Sequence, residues 1–307
     1  MRAAPRLLWL LNTEKGLAVL KTLAAEARQS IGLVSTYTDP NVREDFAAQI
    51  TAFCRAEGLA HVPWRNLRSS CRALLEEHGV NGMVAVGWQY LIAEDNWSGL
   101  PYKLIVFHDS LLPRYRGFAP LATGLIKGET EFGLSVIYAG AAIDDGPILL
   151  QEKTHLGEEV YIQQAISRLS QLYCAAALRL VQGLAAGELV ARPQDEDKAT
   201  YSIWRNADDC AIDWRCAARQ IYNLIRAVGP PYPGAFSHLD GKRVNVLRSE
   251  LVDDDPQFEI RDVGKVWKIE QGRPVVVCGV GLLHLSELVD DNGASLLPFA
   301  KLRSRFV

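Results

Sequence analysis

Short apolar runs alternate with amphipathic stretches over the first two-thirds of the chain, the pattern of a mostly parallel sheet covered by helices. Residues 6–11 predict a first strand. Within 16–27, Leu17, Leu20, Leu23 and Ala24 share one helical face. Residues 31–37 are rich in β-formers and predict a second strand. The turn Asp39-Pro40-Asn41 leads into a helix on which Phe46, Ile50 and Phe53 recur at helical spacing. Residues 82–86 and 104–107 are wholly apolar and suit buried central strands, with breaks at Asn81-Gly82 and Gly99-Leu100-Pro101. Residues 158–186 predict a long helix that ends at Gly187.

The pattern changes near residue 190. Arg192-Pro193-Gln194-Asp195-Glu196-Asp197-Lys198 is polar and interrupted by proline, which predicts a linker over 191–203 between a catalytic domain (1–190) and a C-terminal domain (204–307). A chain of 307 residues is comfortable as two domains. Beyond the linker, a helix over 217–228 precedes short strand-like runs at 242–247, 264–269, 274–278 and 282–285. The expected fold is thus α/β: a Rossmann-like, mostly parallel sheet with helices on both faces, then a small OB-like β-barrel. Gly279-Val280-Gly281 falls between two strands and reads as a hairpin turn, not a dinucleotide motif.

Charge and composition narrow the function classes. The net charge is −3, and basic and acidic residues nearly balance both before and after residue 190. Neither part has the basic excess that neutralising nucleic-acid phosphates calls for, so no nucleic-acid partner is expected. No apolar run reaches the roughly 18 residues of a spanning helix, so no membrane insertion is expected. The apolar start ends in Asn12-Thr13-Glu14-Lys15 without a small-residue cleavage site, which predicts a core strand, not a signal peptide. The six cysteines lack zinc spacing and read as reduced thiols of a cytoplasmic protein, with no metal site.

Three features carry candidate chemistry. His108 leaves a buried strand and opens the run His108-Asp109-Ser110-Leu111-Leu112-Pro113-Arg114-Tyr115-Arg116-Gly117. Ligands of open parallel sheets bind at strand carboxyl ends, and imidazole suits proton transfer near neutral pH. Ile143-Asp144-Asp145-Gly146 follows another strand and offers a carboxylate to orient that imidazole. Gly87-Trp88-Gln89-Tyr90-Leu91-Ile92 supplies glycine backbone and apolar walls for a flat ring. From the residues alone, a strand-end histidine is more often structural than catalytic, and Asp-Asp-Gly is more often a plain turn. Asp109 and Asp145 read as solvated turn residues. Arg114 and Arg116 suit bidentate binding of a substrate phosphate, and Arg116 equally suits bracing the loop.

The ordered string His108-x-Ser110-Leu111-Leu112-Pro113-x-Tyr115-Arg116-Gly117, Pro120, Gly128-Glu129-Thr130, Gly133 and Asp144-x-Gly146 resembles the folate-dependent formyltransferases. The likeness continues through Ala211-Ile212-Asp213-Trp214, Asn223-Leu224-Ile225-Arg226-Ala227 and Pro231-Tyr232-Pro233-Gly234-Ala235-Phe236. It implies that His108 and Asp144 are catalytic and that 10-formyl-tetrahydrofolate is the co-substrate. The implied folate pocket comprises Gly87, Trp88, Gln89, Tyr90, Leu91 and Ile92, then Ser110, Leu111, Leu112 and Pro113, then Ala139, Gly140 and Ile143.

One position departs from that family. Its motif is Asn-x-His, with the amide on the formyl oxygen as negative charge develops; here Val106 replaces the Asn. Such a donor is worth about 3–4 kcal/mol in rate. The resemblance implies transfer to the amine of a small acceptor, with a nucleotide-linked amino sugar expected first. Formylation of tRNA is disfavoured because Asp39–Asp45 carries one Arg against three carboxylates where tRNA-acting relatives resemble one another in a basic insertion. A carrier-bound aminoacyl group, hydrolysis of 10-formyl-tetrahydrofolate, and a catalytically weakened folate-binding homologue are the alternatives. The sequence leaves a homodimer open.

Overall fold

The computed structural model describes residues 4–38 and 45–307, so the turn Asp39-Pro40-Asn41 lies outside the described residues. The chain forms two compact units. One comprises Met1–Pro120, Glu131–His155 and Ala165–Ile203; the other comprises Leu121–Thr130, Leu156–Gln164 and Trp204–Val307. Residues 191–203, expected as a linker, are part of the first unit.

In the first unit the apolar runs become β1 (Leu7–Leu11), β2 (Ile31–Thr36), β3 (His61–Pro63), β4 (Gly82–Val86) and β5 (Leu104–His108), all parallel. Helices α1 (Thr13–Glu26), α2 (Ala47–Ala56) and α3 (Trp64–Glu77) connect them. After the two-residue β6 (Arg116–Gly117) the chain leaves this unit through α4 (Pro120–Lys127). It returns as β7 (Glu131–Tyr138) and β8 (Ile148–His155), both antiparallel to their neighbours, and as most of α5 (Ile162–Ala186). The two-residue β9 (Tyr201–Ser202) pairs with β6.

The seven main strands lie in the order β3-β2-β1-β4-β5-β7-β8. Succession along the chain reverses between β1 and β4, and ligands of such sheets enter at the carboxyl ends beside that reversal. β1 explains why its sequence shows no alternation. Leu7, Trp9 and Leu11 pack on one face with Leu20, Ile50, Tyr173 and Leu180, and Leu8 and Leu10 pack on the other with Leu67, Cys71 and Leu75. A strand covered on both faces is apolar throughout. No element is assigned to α3 from the sequence, although its buried Leu67, Cys71 and Leu75 recur at the i, i+4, i+8 spacing of an amphipathic helix.

The second unit is built on β10 (Ala235–Leu239), β11 (Lys242–Val252), β12 (Val266–Glu270), β13 (Arg273–Val277) and β14 (Leu282–Asp290), an antiparallel sheet in the order β10-β11-β14-β13-β12. Gly279-Val280-Gly281 lies in the connection from β13 to β14, as the hairpin reading requires. Helix α6 (Ala218–Val228) buries Ile221, Ile225 and Val228. No helix among the described residues is long and apolar enough to cross a membrane.

Arg226 ties the second unit's separate segments together. Its side chain is 1% exposed and donates to Leu125 O, Val160 O and Asn223 Oδ1, each at 3.0 Å. Arg226→Met would remove all three bonds, leaving Val160 O and Asn223 Oδ1 without this donor while Leu125 O keeps the Gly128 N–H, at a cost of about 3 kcal/mol. Urea denaturation should show that loss, and an unchanged midpoint would contradict this role.

Candidate active site

His108 is the last residue of β5 and is 7% exposed. Side chains alternate along a strand, so Leu104, Val106 and His108 share one face while Ile105 and Phe107 face the other. The His108 Nε2 lies 2.8 Å from the carbonyl oxygen of Tyr115. A carbonyl only accepts, so this contact assigns the ring hydrogen to Nε2. Nδ1 is then the nitrogen facing Asp144, with Oδ2 at 3.4 Å.

Asp144 reaches that position from an unusual backbone. Its φ of 52° lies in the left-handed region, which a residue with a side chain adopts only when its surroundings enforce it. Its Oδ2 accepts the Gly117 N–H at 2.9 Å. Gly117 has φ 97°, and a side chain there would run into the Ser202 carbonyl oxygen. Only glycine brings that N–H so close.

The turn after His108 is pinned from β7 and β8. Ser135 Oγ donates to Ser110 O at 2.7 Å and accepts from Leu112 N at 3.0 Å. Gln151 Nε2 donates to Leu112 O and to Ser135 Oγ, both at 2.9 Å. Ser110 Oγ closes the turn on Arg114 O at 2.7 Å.

Beside this frame, Val106 packs with Leu112, Ile137 and Ile148 on one side and borders the cluster of Trp88, Ile92 and Ala139 on the other. Leu112 of the first candidate segment and Trp88 and Ile92 of the third thus pack on clusters that share Val106, while residues 143–146 contribute no member. Trp88 stands edge-on to Tyr37 and Trp64, with ring centroids at 4.9 and 5.0 Å. Its buried Nε1 has no hydrogen-bond partner among the described residues. Gly87 has φ 61°, and a Cβ on it would lie 2.9 Å from Asn12 O, so β4 ends against β1 without a side chain between them. Tyr90 packs edge-on to Tyr37. The other candidates lie nearer the surface or pack locally. Leu91 is 95% exposed and Ile143 54% exposed, Gln89 and Gly140 are exposed, Leu111 packs on Gly133, and Pro113 is half-buried.

Three expectations need correction. Arg116 is 1% exposed, and its guanidinium is engaged within the chain. It donates to Gln194 Oε1 at 2.9 and 3.1 Å and to both Glu196 carboxylate oxygens at 2.7 and 2.8 Å. It is therefore the brace and not a substrate-phosphate ligand. Arg114 remains exposed, its guanidinium 5.1 Å from the Tyr115 ring centroid.

Asp109 is not solvated, because it pairs with the Lys15 ammonium and accepts the Tyr173 hydroxyl at 2.5 Å. Burial alone would raise its carboxyl, but Lys15 and Tyr173 more than offset this and hold it below the usual carboxylate range. Burial, reinforced by the Asp109 charge, pushes the Tyr173 hydroxyl well up. Lys15, Tyr173 and Gln194 are the site residues that sequence reasoning missed. Asp145 lies in a turn, Oδ2 accepting Ala142 N at 3.1 Å, but it is not solvated as expected, because its Oδ1 is buried without a hydrogen-bond partner among the described residues. Among the described residues, no group of three or more His, Cys, Asp or Glu side chains has metal-binding geometry.

Comparison with known proteins finds relatives for both parts of the chain. Residues 13–178 match the profile of the family described as formyl transferase, and residues 205–298 match that of the formyl transferase C-terminal domain. The chain is 32% identical over 207 residues to a methionyl-tRNA formyltransferase of Fusobacterium nucleatum, matching 67% of this chain and 66% of that relative. It therefore spans just under two thirds of that relative's length. Its fold is similar to that of an N-formyltransferase from Helicobacter canadensis, solved with folinic acid and dTDP-3-aminofucose (TM-score 0.68, 12% identity, 92% of this chain and 98% of that one). It is also similar to WlaRD, a sugar 3N-formyl transferase solved in the presence of dTDP and 5-N-formyl-THF (TM-score 0.66, 13% identity, with the same coverage).

The Lys15–Asp109 pair carries a pH-dependent prediction. A carboxyl lowered in the folded state adds stability above its unfolded value, and that stability is lost as the pH falls through the folded value. Lys15→Met leaves the carboxylate buried beside Tyr173 alone, where burial raises it. At about pH 7 the variant should lose about 2 kcal/mol, less than for a wholly buried pair because the Asp109 side chain is 18% exposed. The deficit should shrink as the pH falls towards about 4, where a raised carboxyl is neutralised. Urea melts across that range check it, and a deficit independent of pH would contradict the pairing.

Proposed function

This chain belongs to the formyl transferase family, and from that premise we propose that it moves the formyl group of 10-formyl-tetrahydrofolate onto the amine of a small acceptor, with a nucleotide-linked amino sugar preferred. The observation that carries this reading is the His108–Asp144 pair, held at 3.4 Å at the end of β5 beside a pinned turn and an apolar wall. The free thiols, four of them buried, suit a reducing cytoplasm.

The chain's own groups fit a flat ring. Val106, Trp88, Ile92, Leu112 and Ala139 are apolar side chains packed around this strand end. The folate, when bound, would supply the formyl carbon, carried on its N10. His108 Nδ1 takes the proton that the attacking amine gives up and would return it to the folate N10 as the formyl C–N10 bond breaks, while Nε2 stays bonded to Tyr115 O. Asp144 then faces a charged imidazolium and stabilises it. Val106 has no donor for charge building on the formyl oxygen, and because the protonated His108 gives its N–H groups to Tyr115 O and Asp144, only the ring's positive charge offsets it.

A second acceptor has its own support. Methionyl-tRNA is the substrate in the name of the Fusobacterium relative. Charge argues against it here, because a net charge of −3 without a basic excess gives little neutralisation of phosphates.

The test is release of tetrahydrofolate from 10-formyl-tetrahydrofolate, alone, with nucleotide-linked amino sugars, and with methionyl-tRNA. Release that requires the amino sugar is the expected result. Release with methionyl-tRNA only would establish the second acceptor, release without any amine would make the protein a hydrolase, and no release would contradict transfer. In the same assay Val106→Asn should raise turnover by roughly tenfold or more, because it returns one oxyanion donor. Unchanged turnover would remove this position from the mechanism.

A further inference from the structure

The polar stretch that follows α5 does more than connect. Its Gln194 is half-buried, and its amide makes four hydrogen bonds, as many as its donors and lone pairs allow. Nε2 donates to Asp144 O at 2.7 Å and to Gly146 O at 2.8 Å, and Oε1 accepts from Arg116 Nε at 3.1 Å and Nη2 at 2.9 Å. The stretch is itself fastened down, because Arg192 exchanges both backbone hydrogen bonds with Ile148 at 2.7 and 2.9 Å.

These contacts close a ring. The Arg116 guanidinium holds Gln194, Gln194 holds the Asp144 backbone, and the Asp144 carboxylate accepts the N–H of Gly117, the residue after Arg116. Asp144 needs such a frame, because its φ of 52° is unfavourable for a residue with a side chain. A peptide free to relax from that conformation would turn its carboxylate off His108 Nδ1.

We propose that Gln194 is a positioning residue that holds the Asp144 peptide in its left-handed conformation and so keeps the carboxylate on His108. It acts through Asp144 and touches neither substrate. The proposal rests on the reading of His108 and Asp144 as the reacting pair.

The test compares Gln194→Glu and Gln194→Ala with wild type, His108→Asn and Asp144→Asn in the full chain. Glu keeps the size and still accepts from Arg116, but it sets an acceptor against the Asp144 and Gly146 carbonyls. Ala removes the group altogether. Turnover should fall roughly 10- to 100-fold in both, the scale on which small misplacements of a reacting group act. KM for 10-formyl-tetrahydrofolate and affinity for 5-formyl-tetrahydrofolate should stay close to wild type, while the melting temperature falls because Arg116 and the Asp144 and Gly146 carbonyls lose a partner. In an Asp144→Asn background, Gln194→Glu should lower the residual turnover no further.

Three results would overturn the proposal, and they are distinguishable. If His108→Asn releases tetrahydrofolate as fast as wild type, the reading of the reacting pair fails and the proposal falls with it. If His108→Asn is inactive while both Gln194 variants keep full turnover, that reading stands and Gln194 has no positioning role. If turnover, folate affinity and melting temperature all fall together, Gln194 only supports the fold.

Discussion

A guanidinium buried to 1% exposure has to be met by hydrogen bonds and opposite charge, and the arrangement of the site follows from how Arg116 is met. Glu196 supplies the charge and Gln194 the second acceptor, which draws residues 192–198 onto the body of the first unit. That approach places the Gln194 amide on the Asp144 and Gly146 carbonyls. The backbone after Arg116 meanwhile carries Gly117, whose N–H fixes the carboxylate of the same Asp144. One buried cation thus links the turn after β5, the loop after β7 and the stretch after α5.

Features that depend on local pattern were legible in the sequence. β1, β4 and β5 are apolar throughout because both their faces are covered, and that left an unambiguous run of strand-forming residues. His108 could be placed at a strand end for the same reason. The antiparallel character of the second unit followed from its short runs and turns, although β11 continues to Val252, well past the expected end. Features that depend on distant partners were not legible. Asp109 looks like any turn aspartate until Lys15, 94 residues away, and Tyr173, 64 residues away, are brought to it. The stretch around Gln194 has a connector's composition, and its role appears only when Arg116 and the Asp144 loop are adjacent. The two readings of Arg116 were separated by burial, which no local pattern reports.

Val106 shows how packing and chemistry compete for one position. On β5 it shares a face with His108, and its methyl groups complete the wall formed with Leu112, Ile137 and Ile148. A β-branched residue suits that packing and leaves the site with one donor fewer. In the proposed transfer the His108–Asp144 geometry would therefore carry more of the chemistry than it would beside an amide, and the frame around Asp144 would matter correspondingly more.

The central claim is that His108 and Asp144 act as one unit. It is tested most directly by a double-mutant cycle on the rate of formyl transfer, with His108→Asn, Asp144→Asn and the combination, and with affinity for 5-formyl-tetrahydrofolate measured alongside. Groups that act as a unit lose their shared effect once, so the double variant should be about as slow as the slower single variant. Losses that multiply fully, with folate affinity intact in all three, would show two independent roles and contradict the account.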